Sequence, residues 1–288
     1  MFAGWSLFTF ALPLFLANLA IRGMPEIDAL FWPVWGANCI LNLAAHYLFF
    51  SGLQAGELGI AYPVLALTPL FVVPVEWVVL GAVPGRLALV GILLITLGVY
   101  LLNFESLGRG LMAPFKGLLG DPGAKRMLVV AVLWSVGGTL DRIAVLASSP
   151  AFYSLMFAAG LSGLFLLVLT IGARGGRAPL ASRPSAGTEG TAPRGAETSD
   201  RMSLREGLSR LAPWELLVHG ALFTSMMILQ MEAIQRAQAS YVLSIKRTGS
   251  IVAVVLGHFA LRERSLVPRL AGAVITAAGA FVLVISSS

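Results

Sequence analysis

Two cations stand side by side in SYVLSIKRTGSIVAVVLGHFAL, residues 240–261, a stretch otherwise apolar enough to cross a bilayer. Lys246 and Arg247 carry charge of the kind that could hold an anionic or zwitterionic group. At mid-bilayer each costs roughly 2.5–3.5 kcal/mol, against ~0.3–0.6 returned by each apolar residue. The pair therefore needs a partner, a cavity or a route to the interface. Depth suggests partners. Lys246 lies roughly 12 Å into its span at about 1.5 Å per residue. Asp141 and Arg142, in WSVGGTLDRIAVLA, lie roughly 9 Å before the end of theirs. The parity of crossings puts that end on the same side. Glu76 in VVPVEW and Glu232 in LQMEAIQ fall in the same leaflet.

Adjacent helical residues point about 100° apart, so Lys246 and Arg247 cannot both meet one partner squarely. One reading has one of them line a cavity and bind the solute, while the other pairs with Asp141 or Glu232. The second reading has both snorkel or form structural ion pairs, without touching solute. Asn38, Asn42 and His46 follow at i, i+4 and i+8 and make a polar stripe. It could line the same pathway, with His46 able to titrate, or hydrogen-bond between helices.

The elements that carry these residues are apolar throughout. Of the 288 residues, 57% are hydrophobic and 12% charged, with mean hydropathy +0.85. Soluble domains carry about 25% charged residues, so the composition reads as a multi-span membrane protein. Cys39 is the single cysteine, which excludes an internal disulfide and a cysteine-based metal site. The histidines at 46, 219 and 258 form no HExxH, and no phosphate loop or dinucleotide fingerprint is present. An enzyme, a cofactor, a metal or a nucleic-acid partner is not expected.

About nine segments are long enough to span. They run over roughly 3–22, 29–52, 56–81, 85–104, 126–147, 150–172, 213–235, 238–261 and 266–286. The loop 173–212, rich in Arg, Gly, Ala, Pro, Ser and Thr, is expected to be disordered. Pro63, Pro69 and Pro74 should break the third span.

Shifting residues 54–102 by 181 positions aligns Gln54 with Gln235, Val73 with Val254, Gly91 with Gly272 and Gly98 with Gly279. The first four spans thus match the last four, while 126–147 has no counterpart. The expected architecture is an all-α polytopic bundle in two repeats, four helices plus five. Residues 1–104 form the first, 105–125 a linker and 126–288 the second. A five-span offset is odd, so the repeat is inverted, the plan of secondary transporters. The counterpart of 126–147 would then be encoded before Met1, or be lost.

ASYVLSIKRTGSIVAVVLGHFALRERSLVPRLAGAVITAAGAFVLV and GELGIAYPVLALTPLFVVPVEWVVLGAVPGRLALVGILLITLGVYLL resemble the EamA-type members of the drug/metabolite transporter superfamily. That resemblance implies two five-helix repeats and movement of small metabolites, often outward. The family's acidic mark is met by Glu263 in the second half, while the first has Leu80-Gly81-Ala82.

The function expected is secondary transport of a small polar, anionic or zwitterionic solute by alternating access. The alternative is a non-transporting truncated homologue serving as scaffold or subunit. Partners are the lipid bilayer and a small-molecule substrate, with a homodimer allowed. Basic residues cluster in the loops at 105–126, 173–212 and 262–269, which places those loops in the cytoplasm of a bacterial inner-membrane protein.

Overall fold

The structure, a computed structural model, describes residues 11–55, 64–102, 120–174, 213–249, 251–252 and 266–287. Residues 105–119 of the 105–125 linker, residues 175–212 of the 173–212 loop, Pro63 and Glu263 lie outside the described residues. Among the described residues there are nine α-helices, one 3₁₀ turn and no strand. They are α1 (Leu12–Arg22), α2 (Phe31–Ala55), a 3₁₀ turn (Leu65–Leu67), α3 (Thr68–Leu80), α4 (Arg86–Leu102) and α5 (Pro122–Leu146). The remainder are α6 (Pro150–Arg174), α7 (Pro213–Arg236), α8 (Ala239–Arg247) and α9 (Leu266–Ser287).

Helix ends follow the local chemistry. Asp121 caps α5, its side chain accepting from Ala124 N–H at 2.7 Å, with Pro122 in the first turn where no donor is needed. Gly81 closes α3 in the left-handed region at φ 65°. Its N–H donates to Trp77 O, the 5→1 bond of an αL ending, and that of Ala82 reaches Glu76 O at 3.4 Å. Of the three expected proline breaks, Pro69 sits in the first turn of α3, where its missing N–H leaves no bond unmade. Pro74 alone lies inside that helix.

Helices over Pro122–Leu146, Pro150–Ile171 and Leu217–Arg236 are long and apolar enough to cross a bilayer, and shorter apolar helices accompany them. Their outward faces are apolar too. Leu217, Leu222 and Leu229 on α7, Val78 on α3 and Leu93 on α4 are each at least half exposed. Water would not tolerate so broad an apolar exterior; lipid requires it. Inside, Phe15, Phe31, Tyr153 and Phe165 pack α1, α2, α6 and α7 together. A second cluster joins α4 to α9 through Ile92, Ile95 and Leu283.

Helices α4 and α9 meet through glycine. A Cβ on Gly91 would come within 2.9 Å of Gly279 O, and one on Gly98 within 2.7 Å of Gly272 O. With lipid on the outside, helices associate by close packing rather than by hydrophobic drive, and bare glycine backbone permits it. The pairing is reciprocal and antiparallel: Gly91, the sequence equivalent of Gly272, touches Gly279, while Gly98, the equivalent of Gly279, touches Gly272.

Gly279→Leu is expected to disrupt this crossing. Its Cβ would stand 2.6 Å from Ile95 N, which is backbone and cannot swing aside. Overpacking of this kind costs about 1–3 kcal/mol, and more where backbone must move. Thermal unfolding of the purified variant in detergent should show a clear fall; an unchanged midpoint would contradict the crossing.

Candidate functional site

The tight turn between α7 and α8, at Ala237 and Gln238, explains several intramembrane charges. Glu76, fully buried on α3, accepts from the N–H of Ala239 (2.7 Å) and of Ser240 (2.9 Å), one bond to each carboxylate oxygen. Those are orphan donors at the first turn of α8, and a negative group is favoured there by the helix dipole. Arg142 on α5 donates to the carbonyls of Ile234 (3.0 Å) and Ala237, at the end of α7 where a cation is favoured. An acid thus holds the start of one helix and a base the end of the other. Glu232 lies beside them, paired with Arg22 (3.1 Å) and Arg236 (2.8 Å).

A cavity of about 370 Å³ opens between α2, α5, α6, α7 and α8. Lys246 and Arg247 reach it from the last turn of α8. Helical bonding is tightened there: Thr248 N–H donates to Ile245 O and Ile251 N–H to Thr248 O, both three residues back. At the positions aligned with Lys246 to Thr248, the first half has its 3₁₀ turn, Leu65–Leu67. Both aligned segments are therefore irregular at one depth. Arg247 Nη2 donates to Thr68 Oγ1 across the gap at 3.0 Å. Lys246 Nζ donates to Gln230 Oε1 on α7 at 2.6 Å.

Opposite stands Asp141. Its Oδ1 accepts from Tyr153 O–H (2.5 Å) and Asn38 Nδ2 (2.8 Å). Its Oδ2 accepts from no described residue and is not sealed off from the cavity that Asp141 lines. Asn38 also donates to Tyr153 Oη, and Asn42 Nδ2 to Asn38 Oδ1 at 2.9 Å. His46 Nδ1 contacts Asn42 O at 2.7 Å. A chain of side chains with few alternative geometries thus aims one carboxylate oxygen at the cavity. Among the described residues, Lys246 and Asp141 share the cavity without a contact ion pair.

The structure gathers five sequence-nominated residues at one cavity: Asn42, His46, Asp141, Lys246 and Arg247. It places Asn38 behind Asp141, and Glu76, Arg142 and Glu232 at helix ends and surface ion pairs. The expected pairing of one cation with Asp141 or Glu232 is replaced by bonds to neutral Gln230 and Thr68. Charge at one depth did not reveal azimuth around the helix. Tyr153, Thr68 and Gln230 escaped the sequence reading. Gln230 left a signal, a lone amide in the apolar run LFTSMMILQM.

Comparison with known proteins then bears on this bundle. Residues 1–104 match the EamA-like transporter family. The match covers that part of the chain alone. With the helices long and apolar enough to span a bilayer, this similarity marks an integral membrane protein. The matched residues include α1 to α4, hence Asn42, His46 and Thr68 at the cavity. No curated protein matches the chain. Among solved structures, one described only as a crystal structure of a protein superposes with TM-score 0.67. It is 16% identical, over 99% of this chain and 87% of its own. That likeness shows the fold alone.

Proposed function

We propose that the chain is a secondary transporter that moves a small anionic or zwitterionic solute through this cavity by alternating access. The observation that carries the reading is the cavity's charge. Two cations on interrupted helical backbone face an available carboxylate oxygen across an apolar interior. Lys246 is held by neutral Gln230 and Arg247 reaches neutral Thr68, and a solute anion in the cavity would supply charge to match theirs. Interrupted helices at the cavity are the recurrent ion and substrate site of transporters.

The glycine crossing supports an inverted repeat. In a two-fold related contact each element meets the equivalent of its partner's element, and Gly91–Gly279 with Gly98–Gly272 have that pattern. Four helices plus five is supported by α7. Its Leu222 and Leu229 are exposed, although they align with Leu41 and Leu48 on α2, the helix that packs closely on α5. The reading keeps a bacterial inner-membrane location with 173–212 on the cytoplasmic side, and no enzymatic step.

Lys246→Gln and Arg247→Gln, reconstituted separately into vesicles, should each lower uptake of anionic or zwitterionic metabolites at least tenfold while the protein elutes as wild type. Losing one charge-assisted bond to solute is worth roughly 1.5–3 kcal/mol. Uptake and binding unchanged in both variants would reduce the pair to structural charges and favour the scaffold alternative.

A further inference from the structure

The cavity has a second chemistry on its remaining side. Phe157 and Leu161 of α6 and Phe223, Met226, Met227 and Met231 of α7 form an apolar wall. Phe223, Met227 and Met231 repeat at four-residue spacing, so they share one face of α7. Met226 stands beside them, 44% exposed. It lies four residues, about 6 Å of helical rise, before Gln230, the residue that holds Lys246. Methionine is unbranched and polarizable, so such a wall adapts to flexible apolar shapes better than branched side chains do. The charged and apolar zones therefore adjoin along α7, and a polar solute such as a sugar acid would leave the wall unmatched.

Resting on the transport reading above, we propose that the solute is a carboxylate with a flexible, unbranched apolar body. The carboxylate meets Lys246 and the chain lies along Met226 and the phenylalanines. Asp141 Oδ2 is placed to receive an ammonium if the solute carries one.

The test is calorimetric binding to the full chain in lipid nanodiscs. One series runs glycine, alanine, 2-aminobutyrate, norvaline and norleucine; the other runs the n-carboxylates from acetate to octanoate. Affinity in at least one series should climb about two- to fourfold per methylene. Met226→Gln should flatten that slope, and Met226→Leu should keep it. A climbing amino-acid series beside a flat n-carboxylate series would support an ammonium at Asp141; both climbing supports the carboxylate and chain alone. Affinity flat with length, yet lost in Lys246→Gln, overturns the apolar subsite and leaves the anion site standing. A slope untouched by Met226→Gln overturns it too. No binding, or binding indifferent to Lys246→Gln, overturns the transport reading on which the proposal rests.

Discussion

Glu76→Ala should leave little folded protein. The substitution removes the acceptors for two buried donors, the N–H groups of Ala239 and Ser240. Each buried donor left without a partner costs about 1–3 kcal/mol, and the helix-end charge adds up to ~1–2 more. Glu76→Gln is not a rescue. Both carboxylate oxygens accept, so the amide nitrogen of glutamine would face one N–H donor to donor. The position is also fully buried, so water cannot substitute. We expect both variants to lose yield in fluorescence-detected size exclusion, with a midpoint for whatever survives lower by at least ~5 °C. An alanine variant melting with wild type would mean that α8 does not depend on this cap. Because the cap lies off the cavity, the loss should precede any effect on solute.

Asp141 should separate fold from function. Asp141→Asn keeps an oxygen in the Oδ1 place, so Tyr153 O–H and Asn38 Nδ2 retain their acceptor. Only the charge on the cavity side is lost. The variant should fold with a midpoint near wild type, while affinity for zwitterionic solutes falls about tenfold or more, the loss of one charge-assisted bond. Asp141→Leu deprives both donors inside an apolar surround and should cost roughly 2–6 kcal/mol. If the asparagine variant binds and transports as wild type, Asp141 is a structural anchor for Tyr153 and the cavity needs no acid.

These contrasts show what the sequence could reveal. Span lengths were legible because lipid enforces them: the segment expected at 213–235 is the helix Pro213–Arg236. The shared depth of Asp141 and Lys246 was legible because helical rise is constant. What depth cannot encode is the direction a side chain takes around its helix. Glu76 and Arg142 looked like members of a charged cluster, and both instead hold backbone at the α7–α8 turn. No sequence pattern announces that partner, since every residue carries the same N–H and C=O. The interruption at Leu65–Leu67 was likewise hidden: three prolines pointed to several breaks, while the backbone changes at residues between them. Tyr153 drew no notice in the sequence, since nothing near it in the chain announces that its hydroxyl meets Asp141.

The glycine crossing of α4 and α9 has a mechanical consequence. Backbone against backbone leaves no rotamers to rearrange and no gap to close, so these two helices should move as one. Any opening and closing around the cavity must leave their separation nearly constant while other distances change. The joint is therefore an axle, and also a ruler: spin labels set across it give the fixed length against which movement of α8 and α5 can be read.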